Sequence, residues 1–192
     1  MTAGLLGGSR ATVDREAREV AGERSLYWAG ALFTLAVIIH NGDHLRRGAD
    51  KLTPDVFWLG TVGILVEVAL VITIFQRHRL APLAAAVVGM SLAVGYVEVH
   101  FLPAHGVFSD SFTSAAHVSP LSWFAASMEI VAALILAVVG ARVVRAGGGL
   151  SAVLTATAGD RSFRPTRVHP IVVIMVVSQA ATLVISFIQA YA

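Results

Sequence analysis

The chain of 192 residues contains no cysteine. This absence excludes disulfides, thiolate metal sites, iron–sulfur clusters and covalently attached haem. Any metal ion must therefore be bound by imidazole, carboxylate or carbonyl groups. Charged residues are also scarce, because they make up 14% of the chain against about 25% in a typical soluble domain.

Several familiar motifs are missing as well. The sequence has no P-loop, dinucleotide fingerprint, nucleophile elbow or internal repeat. Residues 1–24 are polar and of mixed charge, so they do not resemble a secretory signal. The basic residues lie between hydrophobic runs and form no single patch, and we predict no nucleic-acid partner.

Hydrophobic residues are abundant, at 56% of the chain with a mean hydropathy of +0.76. They are concentrated in runs close to the roughly 20 residues that span a bilayer as a helix. The sequence therefore predicts an all-α integral membrane bundle, with four core transmembrane helices and a fifth C-terminal hydrophobic helix. The predicted spans are residues 26–45, 54–76, 82–103, 120–145 and 170–191.

The same runs divide the chain into four segments. Two helix starts are marked by a capping residue before proline, Thr53-Pro54 and Ser119-Pro120. The predicted segments are a cytoplasmic N-terminal segment 1–24, a transmembrane core 25–145, a flexible cytoplasmic linker 146–169 and a fifth helix 170–192.

The distribution of basic residues predicts the orientation of the bundle. Eleven arginines fall on one side of five crossing helices, and three basic residues, Arg46, Arg47 and Lys51, fall on the other. Because cytoplasmic loops carry the excess of Lys and Arg, we expect a multi-pass protein of the cell membrane, with its N-terminus in the cytoplasm and its C-terminus outside.

Three glutamates, Glu67, Glu98 and Glu129, stand inside hydrophobic spans. A carboxylate at a helix centre costs about 2.5 kcal/mol or more in a membrane, so such residues are usually functional. Each lies on a stripe with small residues, which predicts that all three face the bundle. At about 1.5 Å per residue, His40 and Glu98 lie about 7 Å, Glu129 about 12 Å and Glu67 about 18 Å from the outer helix ends. This estimate predicts a site in the outer half that Glu67 is too deep to join.

Histidines near the same helix ends predict a metal site. His40 and His44 are spaced i, i+4 on one helical face, which lets two imidazoles reach one ion. Glu98 and His100 are about 200° apart on an ideal helix, so both bind one ion only if Pro103 distorts the last turn. The composition of the set suits iron, zinc or copper. The predicted metal ligands are His40, His44, Glu98, His105 and Glu129, and the predicted second-shell or relay residues are Asp43, Glu67, His100 and Asp110.

Three alternatives remain open from the sequence, which shows no reaction. A haem b group would need His40 or His44 opposite His100 on another helix. A small proton-coupled transporter or channel would use the three buried glutamates. A non-catalytic accessory subunit would use the fifth helix to meet a membrane protein partner or a second copy. That helix carries a polar stripe, which could instead pack against the bundle: Gln179, Thr182, Ser186 and Gln189.

Several stretches within residues 26–145 resemble a group of small actinobacterial polytopic membrane proteins. The shared elements are H-x-x-D-H at His40–His44, a Phe-Ser-Asp loop ending at Asp110, and Leu-Ser-Trp at residues 121–123. The resemblance implies a four-helix membrane bundle and implies no activity. The linker and the fifth hydrophobic segment depart from that four-helix pattern.

Overall fold

The protein is described by a computed structural model that covers residues 5–155 and 168–192. This part of the chain is all-α, without a strand. A 3₁₀ turn, Ala49–Lys51, follows the first helix, and the third continues as a π-helix over Val97–Phe101. The α-helices of the described residues are α1 Leu5–Arg47, α2 Pro54–Phe75, α3 Ala81–Tyr96, α4 Pro120–Ala146, α5 Gly149–Thr155 and α6 Pro170–Tyr191.

Five helical segments are long and apolar enough to cross a bilayer, which confirms the predicted helical membrane bundle. The first span begins at Val20, inside α1. The polar N-terminal part of α1 and the transmembrane segment therefore form one unbroken helix. The short helix α5 occupies the start of the predicted linker, and residues 156–167 of that linker lie outside the described part. The spans are Val20–Arg47, Pro54–Phe75, Ala81–Phe101, Pro120–Ala146 and Pro170–Tyr191.

The predicted helix starts at proline are confirmed. Thr53 precedes Pro54, and its hydroxyl oxygen accepts a hydrogen bond from the N–H of Val56 at 3.3 Å. Ser119 precedes Pro120, and its N–H donates to the hydroxyl of Ser122 at 3.1 Å. These bonds satisfy polar groups at helix ends, which have no partner inside the helix.

Glycines allow α3 and α4 to pack with their backbones in close contact. A Cβ atom added to Gly140 would lie 2.5 Å from the carbonyl oxygen of Pro82, and one added to Gly89 would lie 2.9 Å from that of Ala133. Small residues permit this approach between helices in membranes. The small-residue stripe predicted on α4, which includes Glu129, is buried as expected.

The corresponding prediction for α3 is wrong. Glu98 and Ser91 are exposed, with the Glu98 side chain 61% accessible. The helix carries a second small-residue face, Ala85, Gly89 and Ala93, and this face is buried. The contact of Gly89 with the α4 backbone fixes the rotation of α3 and turns Glu98 outward.

The polar stripe of α6 packs inside the bundle. The side-chain amide of Asn41 donates to the oxygen of Gln179 at 2.9 Å. Gln189 donates to the carbonyl of Leu45 at 3.2 Å and accepts from the N–H of Ala49 at 3.0 Å. Of the two uses that the sequence left open for this stripe, the described structure shows attachment to α1.

We expect Gly140→Ala to destabilise the bundle by about 1–3 kcal/mol, since its methyl group collides with the α3 backbone. The measurement is thermal unfolding of the purified protein in detergent. Gly63→Ala is the matched control, because a Cβ at Gly63 meets nothing within 4 Å. Equal melting temperatures for the two variants would contradict the close contact.

Candidate metal centre

Three histidines meet at one end of the bundle, where α1 and α3 finish and α2 and α4 begin; we call it the histidine end. His40 and His44 come from α1 and His100 from the π-helix. One ring nitrogen from each of the three histidines lies within 4.8 Å of the other two nitrogens. The ring centroids are 4.8 Å, 5.0 Å and 5.4 Å apart.

Local helix geometry produces this meeting. The i, i+4 spacing stacks His40 on His44 with an angle of 21° between the rings. The π-helix is closed by a bond from the N–H of Leu102 to the carbonyl of Val97, at 3.2 Å. Such π-turns often occur at functional sites. This π-turn places His100 in the interior of the bundle, where the residue is 3% exposed.

Acceptors hold two of the rings through their Nδ1 atoms. The Nδ1–H of His40 donates to Oε2 of Glu129. The Nδ1–H of His100 donates to the carbonyl oxygen of Asp110 at 3.3 Å, and a carboxylate oxygen of Asp110 lies 3.5 Å away. Metal-binding histidines are oriented by the same kind of contact, which leaves the other nitrogen for the ion. The free Nε2 of His40 and the Nδ1 of His44 are buried without a hydrogen-bond partner among the described residues.

A buried ion pair anchors the loop that follows the π-helix. Arg47 donates twice to the carboxylate of Asp110, with both distances 2.7 Å. The N–H groups of Asp110 and Phe112 donate to the carbonyls of Val99 and His100 at 3.1 Å and 2.9 Å. The loop therefore covers the end of α3 and fixes Asp110 beside His100. From the sequence, Arg47 was used only to predict the topology. The sequence signal for this ion pair was an arginine three residues after His44, together with an acid in a loop of apolar residues.

Glu67 joins the same region through Tyr96, a residue that the sequence reading missed. The Tyr96 hydroxyl donates to Oε1 of Glu67, and the Tyr96 ring lies 5.6 Å from the His40 ring. Glu129 interacts electrostatically with both residues. Glu67 and Glu129 are 3% and 1% exposed, so both carboxyl groups belong to the buried polar cluster.

The direction in which side chains lean along their helices explains why the depth estimate placed Glu67 too far from the site. A helical side chain leans toward the N-terminus of its helix. Because α2 begins at the histidine end, Glu67 leans toward that end. Because α3 finishes there, Tyr96 leans away from it and meets Glu67. An estimate from Cα positions alone misses these opposite directions.

Two of the predicted ligands are not brought to the cluster. Glu98 and His105 pair with each other at 3.6 Å on the surface, where their side chains are 61% and 47% exposed. Since Glu98 is about 200° from His100 on an ideal helix, turning one inward turns the other outward. Asp43 accepts from Arg46 at 2.9 Å, and within the described part of the chain no hydrogen bond joins it to His40 or His44. Of the predicted ligands, the structure brings together His40, His44 and Glu129.

A cavity of about 270 Å³ adjoins the three histidines. Its walls come mainly from apolar residues of α2, and residues of α1, α3, the π-helix and α6 complete the lining. Among the described residues, no Lys or Arg lines it. The polar lining residues outside the histidines are Asn41, Thr61, Glu67, Ser91, Tyr96, Thr182 and Ser186.

The charges at the histidine end do not balance within the described residues. Arg46 pairs with Asp43 and Arg47 with Asp110. Glu67 and Glu129 have no Lys or Arg partner in the described part of the chain. Two buried carboxyl groups beside three imidazoles form an environment that attracts a cation when they are ionised.

Comparison of the chain with protein-family models, curated proteins and solved structures returns no match. The function is therefore inferred from the geometry of the site. The resemblance to small actinobacterial membrane proteins stays a prediction.

We expect Arg47→Met to destabilise the protein by about 3–5 kcal/mol, because it leaves the Asp110 carboxylate buried without its partner. The double variant Arg47→Met with Asp110→Leu is expected to recover most of that loss. Denaturant unfolding in detergent, measured on the unaltered protein, on Arg47→Met, on Asp110→Leu and on the double variant, completes the cycle.

Lys51→Met is the control for this cycle, because the Lys51–Asp50 pair is exposed. Exposed pairs contribute little, so this variant should unfold like the unaltered protein. A double variant that is no more stable than Arg47→Met would contradict the coupling of Arg47 and Asp110.

Proposed function

We propose that the protein binds a divalent transition metal ion, iron, zinc or copper, through His40, His44 and His100. Glu129 and Asp110 orient two of the imidazoles. Two observations support it: one ring nitrogen from each histidine lies within 4.8 Å of the others, and the Nε2 of His40 and the Nδ1 of His44 are buried without a hydrogen-bond partner among the described residues. Ligands of a tetrahedral ion lie roughly 3.4 Å apart at a bond length of about 2.1 Å, so binding requires these nitrogens to approach one another by up to about 1.4 Å.

The proposed site offers three protein ligands and leaves one position toward the cavity. Structural zinc sites use four protein ligands, whereas catalytic sites keep a position for water or substrate. We therefore favour redox or hydrolytic chemistry on a lipophilic substrate that enters the cavity. The excess of arginines at the other end supports a cell-membrane protein with its N-terminus in the cytoplasm and the histidine end outside.

An ion is supported better than haem b. A macrocycle would have to lie between a histidine of α1 and His100. The three rings contact one another, with centroids 4.8–5.4 Å apart, and leave no gap for a porphyrin. Glu67 and Glu129, in turn, balance the charge of a divalent ion.

Equilibrium dialysis of the purified protein against Zn²⁺, Cu²⁺ and Fe²⁺, followed by elemental analysis, tests the site. We expect one ion per chain, no ion in His40→Ala or His100→Ala, and an affinity lower by about 10–100-fold in Glu129→Gln. His105→Ala is the control and should bind as the unaltered protein does, since His105 lies on the surface.

Helix content and melting temperature of the metal-free variants show whether each one folds. The proposal is wrong if none of the metals binds the unaltered protein. It is also wrong if folded His100→Ala keeps its ion or if His105→Ala loses it.

A proton path is the second candidate, favoured by the contact between Glu67 and Tyr96. Glu67 with Tyr96 and Glu129 with His40 form two buried hydrogen-bonded pairs, and the rings of Tyr96 and His40 lie 5.6 Å apart. Glu98 cannot belong to it, because its side chain is exposed on another face. An accessory role through α6 has less support, since its polar stripe packs against α1.

If the second candidate holds, Glu67→Gln should abolish proton flux through reconstituted liposomes, because an amide does not release a proton. Metal binding should persist in this variant with a lower affinity, since Glu67 balances the charge of the ion but is not a proposed ligand. A pH-sensitive dye inside the liposomes measures the flux, and Glu98→Gln is the control. Proton flux that is unchanged in Glu67→Gln would exclude the path.

A further inference from the structure

We propose that the cavity is a lateral cleft that takes a neutral single-chain amphiphile from the bilayer and places its oxygen-bearing head group at the histidines. The proposed ligand class covers long-chain alcohols, aldehydes and related uncharged compounds. The contact of the head group with a metal ion rests on the proposed function. The entry route and the choice of a neutral head group rest on the cleft itself.

The mouth of the cleft lies between α2 and α3, on the lipid-facing side. Leu59, Val62 and Val66 of α2 line it and are 42%, 56% and 38% exposed. Ser91 lines the opposite wall and is exposed too. All four belong to membrane-spanning segments, so the opening meets hydrocarbon, and an apolar chain can enter without crossing water.

Glycines keep this cleft open. A Cβ atom added to Gly60, Gly63 or Gly95 would meet nothing within 4 Å, and all three residues line the cavity. Small residues in membrane helices usually allow close packing, as Gly89 and Gly140 do between α3 and α4. The cleft glycines therefore provide space and do not serve helix contact.

The charges around the inner end select a neutral head group. No Lys or Arg among the described residues lines the cavity, so a phosphate or sulfate would lack the usual basic partners. Glu67 and Glu129 balance a divalent ion at the histidines, which leaves no net charge for an anionic head to neutralise. Thr182 and Ser186 carry hydroxyl groups that suit an uncharged oxygen, and the Tyr96 hydroxyl, which donates to Glu67, can accept from an alcohol.

The size of the cleft fits a head group with the first part of its chain. Its volume of about 270 Å³ lies just below the range of about 300–1,000 Å³ for small-molecule sites. Because the mouth opens to lipid, the rest of the chain can stay in the bilayer. Thr182 and Ser186 of α6 complete the wall, which gives the fifth helix a role at the site.

Photo-crosslinking in lipid nanodiscs tests the proposal, with a long-chain alcohol that carries a diazirine in its chain as the probe. We expect saturable labelling of residues 59–66 and Leu183, identified by mass spectrometry. Excess dodecanol should compete, whereas dodecyl phosphate should not. Gly63→Leu and Gly95→Leu should each weaken the labelling by about tenfold or more by filling the cleft.

Ala69→Leu is the matched control, because Ala69 is exposed on α2 and does not line the cavity. It should label like the unaltered protein. Metal content, measured on the same samples, should stay unchanged in both glycine variants.

The outcomes separate this proposal from the metal site. Labelling that does not saturate, or that persists in folded Gly63→Leu and Gly95→Leu, overturns the cleft even if metal binds. Equal competition by dodecyl phosphate overturns the neutral head group. Saturable labelling in a protein that binds no metal supports the cleft and rejects the metal as the partner of the head group.

Discussion

Glu67 and Glu129 carry carboxyl groups in a region of low dielectric constant. These two groups determine which polar partners must surround them. An isolated buried charge is too costly to keep, so each group must be protonated, hydrogen-bonded or paired. Glu129 is bonded to His40 and Glu67 to Tyr96. The arginines nearby cannot help, because each already holds an aspartate. A divalent cation would satisfy both carboxylates and the imidazoles together.

The alternating direction of the helices brings these groups together. Side chains of α2 and α4 lean toward the histidine end, and those of α1 and α3 lean away from it. Residues whose backbones lie at different depths can therefore touch, as Glu67 and Tyr96 do. The glycine contacts between α3 and α4 fix the rotation that makes this possible. Packing far from the site thus decides which face of α3 supplies its side chains.

The sequence was sufficient for the properties that depend on local composition. Hydrophobic runs predicted five spans, proline caps predicted the starts of α2 and α4, and the i, i+4 spacing paired His40 with His44. The prediction failed at α3, because the helix carries two small-residue faces and the stripe that includes Glu98 is the exposed one. The contact between Gly89 and Ala133 decides which face of α3 is buried, and this contact joins residues that are far apart in the sequence. The pairing of Arg47 with Asp110 was not predicted for the same reason, since the two residues are 63 positions apart in the sequence.

The difference between the two classes of glycine connects the fold to the proposed chemistry. Gly89 and Gly140 bring helices together and would tolerate no methyl group without movement, whereas Gly60, Gly63 and Gly95 border open space. If all five served packing, α2 would close onto α3 and bury the histidines away from lipid. Because α3 packs on α4 instead, a cleft persists on its other side. The proposed metal ion would have an open coordination position, which is useful only where a substrate can reach it, and the proposed cleft would connect the histidines to the hydrocarbon phase.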